Sequence, residues 1–413
     1  MKSETRPRFL FVDDEANVLR GLRRALHAQD GPWQMRFEDD PEHALAELDA
    51  YAPDVVVSDI RMPVMDGVTF LRRVRQRRPG TVRIALSAQA DRATTLRAVS
   101  EIHQFLEKPV EPGDLVAHLG RALRLRAFLG NPQLKRMVDE MEGLPSVAEL
   151  YDEVVLQLEA PDPTVDRVGH AIAHDCAMST KVLQLVNSSL FGVAQTVSKP
   201  EHAAALLGLD TLRTLVLGVR IFTRLAPEPA YASFHQREWE RAVRTARLAR
   251  RLSLAEQPCE HDAECAYLAG LLHGVGRLVY RLQFPEKYQE FVEHGALSPV
   301  RAARIERALF GASSGELGAY MLGLWGFTET VIEAIAYHAE PRRAAPRGFQ
   351  PLTALHVAVG LLTASEAEDS EATHFVDEAY LQTIDRHDRL DLWRRMAGEL
   401  GPRPQSGQVE RVS

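Results

Sequence analysis

The chain has 413 residues, of which 45% are hydrophobic and 26% are charged, a composition typical of globular proteins. This length allows two or three domains, each with its own core. The formal net charge of −8 argues against a duplex nucleic-acid binder. We expect no membrane-spanning helix and no secretory signal, because the first residues are polar and no apolar run approaches roughly 18 residues. Three cysteines, an odd number, suit a reducing compartment, so we expect a cytoplasmic protein.

Residues 8–127 alternate short apolar runs with segments of helical period. Five runs are predicted strands, at residues 8–12, 33–38, 54–58, 82–87 and 103–108. Between them lie amphipathic segments such as ANVLRGLRRALHA and VTFLRRVRQRR. This alternation predicts a doubly wound α/β domain, in which helices cover both faces of a parallel sheet. The VVV run of the third strand is typical of a central position that is buried on both sides.

The pattern becomes helical beyond the segment LGNPQL. Asn131-Pro132 should end the last helix of the α/β domain. The helical period that follows predicts an all-α domain, and a Pro/Arg-rich break precedes further helices. The C-terminal residues of the chain are polar and should be disordered. We expect an α/β domain at residues 1–127, a linker at 128–134 and a helical domain at 135–345. A helical extension at 346–400 and a tail at 401–413 should follow.

Polar side chains follow four of the predicted strands. Asp13 and Asp14 follow the first strand, and Asp59 follows the third. Ser87 ends the fourth strand and Lys108 ends the fifth. A single Asp after a strand is more often a turn former, but parallel strands bring all these residues to one sheet edge. Three carboxylates meeting there would repel each other without a hard cation such as Mg²⁺ among them.

These residues belong to motifs with a recognisable order and spacing. The motifs are FVDDE (11–15), SDIRMPVMDG (58–67), ALSA (85–88) and FLEKP (105–109). They resemble the motifs of a two-component receiver domain, over about 120 residues. The resemblance implies a flavodoxin-like fold, and phosphorylation of Asp59 by a sensor histidine kinase or a phosphotransfer protein.

The resemblance also implies a magnesium site. Its ligands would be Asp13, Asp14, Asp59 and the backbone carbonyl of Arg61. Lys108 would pair with the phosphoryl oxygens, and Ser87 would donate a hydrogen bond to one of them. Ser87 and Phe105 would change position on phosphorylation. Plain packing on an edge strand explains Phe105 equally well.

Residues 134–345 resemble an HDOD domain, a relative of the metal-dependent HD phosphohydrolases. The markers include DCAMSTKVLQLVNSSLFG (175–192), LLGLDTLRTLVL (206–217), AGLLHGVGRLVY (269–280) and AIAYHAEP (334–341). Gly270, Gly274 and Gly276 of the third marker should permit close helix approach. Phosphate binding by them is disfavoured, because no strand precedes them.

The metal ligands of HD enzymes are mostly missing from this chain. The corresponding positions hold Arg241, His273, Gly274, Ser314 and His338. Gly274 stands where an Asp would follow the His of the name-giving pair. Two imidazoles without a carboxylate hold a metal weakly, and a nearby arginine repels it. We therefore expect the helical domain to be inactive, and the chain to catalyse only its own phosphorylation and dephosphorylation.

The sequence as a whole predicts a response regulator that acts through protein–protein contacts with a downstream signalling protein, without binding DNA or a membrane. The receiver face over about 88–127 should dock on the HDOD domain or on a second receiver in a homodimer. One alternative is a nucleotide- or RNA-binding sensor that uses the degenerate pocket and the arginines of 237–252. Those arginines are more often a solvated face. The other alternative, a cyclic-dinucleotide phosphodiesterase, needs a two-metal site.

Overall fold

The structure is a computed structural model. It describes residues 6–27, 33–88, 101–141, 144–188, 191, 193, 195–218, 229–294, 297–345, 347–366 and 375–400. The amphipathic segment DRATTLRAVS (91–100), which we expect to be a helix between the fourth and fifth strands, and the tail 401–413 lie outside the described residues. Within the described residues, no helix is long and apolar enough to cross a membrane.

A parallel five-stranded sheet forms the framework of the N-terminal domain. Its strands are β1 (Arg8–Val12), β2 (Gln34–Glu38), β3 (Val55–Asp59), β4 (Val82–Ser87) and β5 (Gln104–Glu107). Their order is β2-β1-β3-β4-β5, which confirms the predicted flavodoxin-like fold. Each strand begins and ends within one residue of its prediction. β3 is central and buried along its whole length, as its all-apolar run indicated.

Amphipathic helices cover this sheet. They are α1 (Ala16–His27), α2 (Pro41–Ala46), α3 (Leu48–Tyr51), α4 (Gly67–Arg77) and α5 (Pro112–Phe128). Leu115, Leu119 and Ala122 of α5 recur at helical spacing and are all fully buried. This apolar stripe holds α5 in the core.

The rest of the described chain is helical, which confirms the all-α prediction. Its α-helices are α6 (Pro132–Glu140), α7 (Ala148–Glu159), α8 (Val165–Ile172), α9 (Cys176–Val186), α10 (Pro200–Leu207), α11 (Leu209–Arg213), α12 (Pro229–Glu256), α13 (Glu260–Leu272), α14 (Val275–Gln283), α15 (Pro285–Glu293), α16 (Pro299–Phe310), α17 (Ser314–Leu324), α18 (Glu329–Tyr337), α19 (Pro351–Glu366), α20 (Glu378–Thr383) and α21 (Leu390–Gly398). Gly311 follows α16 with a φ of +89°, a left-handed conformation that favours glycine at a helix end.

A short connection joins helices α5 and α6 within the linker expected over 128–134. Only residues 129–131 separate α5 from α6. The Asn131 side chain accepts hydrogen bonds from the next helix's backbone N–H groups, and Pro132 occupies its first position, so α6 begins at once. Asn131 Nδ2 also donates to the Phe310 carbonyl at 3.1 Å. The junction is therefore tied to α16.

The residues after 345 complete the helical core. α19 lies against α12, α13 and α18. An apolar cluster joins Leu252 of α12 to Phe349 and Trp393. Trp393 Nε1 donates to Glu256 Oε1 at 3.0 Å, which satisfies its polar group inside the cluster.

The two domains pack on each other through α5, β5 and α17. A Cβ added at Gly323 of α17 would lie 2.4 Å from a methyl of Leu125, so a glycine allows this close approach. Gln104 Nε2 lies 3.4 Å from the carbonyl oxygens of Gly323 and Leu324, to which it donates. These contacts join the sheet edge of one domain to the core helix of the other.

The glycines of the third helical marker do not all have the same role. A Cβ at Gly270 would lie 2.5 Å from Ala246 Cα, and one at Gly276 would lie 2.0 Å from the Ser314 carbonyl oxygen. At Gly274 the nearest atom would be Glu238 Oε2 at 3.8 Å, an ordinary contact. Close helix approach therefore requires Gly270 and Gly276 but does not require Gly274.

Gly276→Ala should lower the free energy of unfolding by about 2 kcal/mol or more, because the new methyl meets backbone that cannot move aside. Gly274→Ala is the matched control and should change stability little, since Gly274 has right-handed helical φ and ψ and has free space around it. Urea unfolding of both variants would measure this difference. An equal loss in the two variants would contradict the packing argument.

Candidate functional site

Two buried carboxylates and one lysine meet at the carboxyl edge of the sheet. Asp13 follows β1 and is 1% exposed, and Asp59 ends β3 and is 8% exposed. Lys108 Nζ lies 2.7 Å from Asp13 Oδ2 and 2.5 Å from Asp59 Oδ1. The lysine ammonium is therefore a cation held between two carboxylates, as the parallel topology leads one to expect.

The loop after β3 fixes the position of Asp59. Its Oδ2 accepts a hydrogen bond from the Arg61 backbone N–H at 3.1 Å. The Asp66 side chain caps α4 by accepting from the Thr69 N–H at 2.7 Å. Gly67 follows, and a Cβ there would lie 1.9 Å from the Asp59 carbonyl oxygen. Only glycine allows α4 to begin this close to the end of β3.

Asp13 is held from the other side of the lysine. Its Oδ1 accepts a hydrogen bond from the Glu15 backbone N–H at 2.9 Å. Asp13 and Asp59 therefore each use one oxygen for Lys108 and the other for a backbone N–H. Each oxygen keeps a further lone pair. This is an all-oxygen donor set of the kind that suits a hard divalent cation.

The third expected carboxylate lies apart from the first two. Asp14 is exposed at the rim of the site. Among the described residues, no three His, Cys, Asp or Glu side chains are grouped closely enough to hold a metal. Lys108 offsets part of the repulsion between Asp13 and Asp59.

Burial and charge oppose each other in this cluster. Burial raises the pKa of Asp59, and the hydrogen bond and charge of Lys108 only partly offset that effect. Burial acts to lower the pKa of Lys108, but hydrogen bonds to Asp13 and Asp59 outweigh it, so that pKa is raised. At neutral pH the lysine is an ammonium ion.

Ser87 and Phe105 lie on the neighbouring strands. In the pairing of β3 with β4, Asp59 lies opposite Leu86. Ser87 is therefore one residue further along β4 than the partner of Asp59. Ser87 is buried, and its hydroxyl donates to the Ala88 carbonyl at 3.2 Å. Phe105 is buried on the edge strand β5. The segment 89–100 between them lies outside the described residues.

The two histidines of the degenerate pocket lie side by side in the helical domain. The ring centroids of His273 and His338 are 5.6 Å apart. His273 Nδ1 lies 2.7 Å from the Gly270 carbonyl oxygen, and His338 Nδ1 lies 2.8 Å from the Ile335 carbonyl oxygen. These carbonyls require N–H on Nδ1, so each neutral ring has its lone pair on Nε2. Burial lowers both pKa values to about 3.

A buried ion network lies beside these rings, and the sequence reasoning missed it. Arg277, which is 14% exposed, has Nη1 3.5 Å from Glu238 Oε2 and Nε 3.8 Å from Glu306 Oε1. Glu306 is 1% exposed. Its Oε2 accepts from the backbone N–H and the hydroxyl of Ser314 at 2.7 and 2.8 Å. Glu306 is thus held by Ser314 through one oxygen, while its Oε1 has only the ion pair with Arg277 and no hydrogen bond among the described residues.

Helical spacing is the signal that could have revealed this network. Glu306 lies one turn from Ala302 and one turn from Phe310, and both of these are buried. An acidic residue on such a face needs a buried partner. Arg277 lies one turn after His273 and is therefore on the pocket side of its helix.

The other two expected pocket residues lie close by. Arg241 contributes, after burial, to lowering the pKa of His273, and its Nη2 donates to Thr363 Oγ1 at 2.6 Å. Gly274 has no side chain, so it cannot supply the carboxylate that would bind a metal at this position. The cavity beside Arg277 and His338 measures about 10 Å³, which is room for about one water molecule.

Curated relatives match parts of this chain. TrcR of Mycobacterium tuberculosis, a transcriptional regulatory protein, is 35% identical over 128 residues, which are 30% of this chain and 48% of TrcR. An uncharacterized protein of Treponema pallidum is 26% identical over 219 residues, or 52% of this chain and 41% of that protein. The chain spans less than half the length of either relative.

One similar solved structure is the signal receiver domain of an HD domain-containing protein from Pseudomonas fluorescens Pf-5. It is 33% identical to this chain. The match covers 30% of this chain and 98% of the receiver-domain chain, with a TM-score of 0.28. The MmoQ response regulator from Methylococcus capsulatus is 20% identical to this chain. The match covers 62% of this chain and 98% of the MmoQ chain, with a TM-score of 0.43.

Two family models match the chain, each on one of its folded domains. The response regulator receiver domain matches residues 9–120, and the HDOD domain matches residues 144–341. The first range contains the Asp13–Lys108–Asp59 cluster, and the second contains the paired histidines. The chain therefore contains a response regulator receiver domain, the domain of two-component signalling, followed by an HDOD domain.

Proposed function

We propose that Asp59 accepts a phosphoryl group from a sensor histidine kinase or a phosphotransfer protein. The arrangement of Asp13, Lys108 and Asp59 is the observation that carries this proposal. An oxygen of Asp59 forms the bond to phosphorus, and the donor imidazole leaves. Negative charge gathers on the phosphoryl oxygens during this exchange, and a preorganised cation stabilises it. Lys108, held in place by Asp13, is such a cation.

The buried carboxylates of Asp13 and Asp59 are hard oxygen donors of the kind that Mg²⁺ takes. We propose that they hold it together with the backbone carbonyl of Arg61, and that the Asp14 side chain, which is exposed at the rim, turns inward to join them. When bound, Mg²⁺ would supply further positive charge to neutralise the phosphoryl oxygens. The Glu15 and Arg61 N–H groups keep the two buried carboxylates oriented, and the Ser87 hydroxyl would donate to a phosphoryl oxygen.

The HDOD domain acts, in this proposal, as a non-catalytic output module. Its pocket offers two neutral imidazoles, while the nearest carboxylates, Glu238 and Glu306, already bind Arg277. This donor set is poor for the metal-bound hydroxide that phosphodiester hydrolysis requires. A cavity of about 10 Å³ also leaves no room for a nucleotide. Output through contacts with a downstream protein is therefore favoured over both alternatives.

The packing of the two domains suggests how phosphorylation would reach the output module. Lys108 lies three residues beyond Phe105, and β5 carries both Phe105 and Gln104. Gln104 donates to the carbonyls of Gly323 and Leu324 in the HDOD domain. A new dianion at Asp59 would draw Lys108 towards it and shift the end of β5. We propose that this shift alters the contact with α17.

Incubation of the parent chain with acetyl phosphate and Mg²⁺ should label it, whereas Asp59→Asn should take up no label. Asp66→Asn is the matched control and should be labelled like the parent, because Asn caps a helix as well as Asp. Phosphate-affinity gel electrophoresis measures the phosphorylated fraction. Equal labelling of Asp59→Asn and the parent would remove Asp59 from its role.

Asp59→Asn should also become more stable relative to the parent as pH rises from about 4 to about 7. The pKa of Asp59 is raised above 3.8 in the folded chain, so ionisation costs stability as pH rises through that range. Asn does not ionise and avoids this cost. Urea unfolding at the two pH values measures the difference. A gain that is equally large near pH 3, or that also occurs in Asp66→Asn, would contradict this assignment.

Beryllofluoride, a phosphoryl mimic, should change amide hydrogen exchange in β5 and in residues 323–327 of the parent. Asp59→Asn should show no change in either segment. An unchanged exchange rate at 323–327 in the parent, together with a superimposable scattering profile, would show that the signal does not reach the HDOD domain.

A further inference from the structure

A cleft of about 280 Å³ lies between the receiver and the HDOD domain. Phe105, His118 and Arg121 line it from the receiver side, and Gln184 and Trp325 line it from the HDOD side. It shares no lining residue with the cavity beside the degenerate histidine pocket. Its size is at the small end of ligand sites in proteins.

The cleft carries a positive charge that no carboxylate balances. Among the described residues that line it there is no Asp or Glu, and Arg121 is the only one with a permanent charge. The Nε of Arg121 is buried and has no hydrogen-bond partner among the described residues. Burial and the charge of Arg121 lower the pKa of His118, which is therefore neutral at pH 7. The site favours an anion.

A second buried polar atom in the cleft is also unsatisfied. Gln184 is 5% exposed, and its Nε2 donates to the His103 carbonyl at 3.4 Å, but its Oε1 has no partner among the described residues. Asn187, on the same wall, has its amide bonded on both sides, to Leu183 and Val197. A buried acceptor without a donor costs stability, so Gln184 Oε1 favours a ligand with an O–H or N–H group.

We propose that this cleft binds a small planar organic anion, namely an aromatic carboxylate that also carries a hydrogen-bond donor. The carboxylate would pair with Arg121 and the donor with Gln184 Oε1, and the ring would lie against Phe105 and Trp325. Because its walls come from both domains, the bound ligand stabilises their docked arrangement. This binding does not require phosphorylation of Asp59.

Isothermal titration of the full chain with 3-hydroxybenzoate tests the proposal. We expect saturable binding by the parent, weakened at least about tenfold in Arg121→Met, which loses one charged contact. Arg124→Met is the matched control. It lies one turn along α5, outside the cleft, in an exposed pair with Glu329, and it should bind like the parent. Gln184→Met should bind several-fold more weakly, and circular dichroism would show that each variant is folded.

The neutral amide 3-hydroxybenzamide has the same shape and donor as the acid and should bind at least about tenfold more weakly. No saturable binding by the parent, equal binding by Arg121→Met, or equal binding of acid and amide would each overturn the proposal. These outcomes leave phosphorylation of Asp59 untouched. Conversely, failure of Asp59 labelling with intact 3-hydroxybenzoate binding would affect the phosphorylation proposal alone.

Discussion

The contact of one lysine with two buried aspartates is the constraint on which the receiver depends. Asp13 and Asp59 would repel each other at the end of adjacent strands β1 and β3 without a cation between them. Lys108 comes from the far edge of the sheet to provide that cation. The cluster therefore ties three strands together at one edge, and it leaves the Asp59 carboxylate poised beside a positive charge.

The helical domain handles a similar problem in a different way. Where an HD enzyme would place a metal among histidines and carboxylates, this chain has Arg277 held by Glu238 and Glu306. A guanidinium is a permanent cation with a planar set of donors, so it can satisfy buried carboxylates without any metal. The imidazoles of His273 and His338 remain neutral beside it. Both domains thus use a side-chain cation to balance buried acids.

Local patterns made much of the fold predictable from the sequence. The strands followed from apolar runs, and the meeting of Asp13, Asp59 and Lys108 followed from parallel topology. The Arg277 network was not foreseen, because its members come from three helices separated by dozens of residues. Burial of Glu306 on an apolar face was a readable signal. Asn131-Pro132 lies between two helices and starts the second, because Asn caps a helix and Pro suits its first position.

The three-residue junction at 129–131 has a consequence for how such chains can be recombined. α5 packs in the receiver core, α6 begins almost at once, and Asn131 also holds the Phe310 carbonyl. One residue added within either helix would rotate everything beyond it by about 100°. The Gln104 and Leu125 contacts with α17 would then lose their partners. Swapping in a foreign receiver would therefore succeed only when the graft preserves helical phase, whatever its sequence similarity.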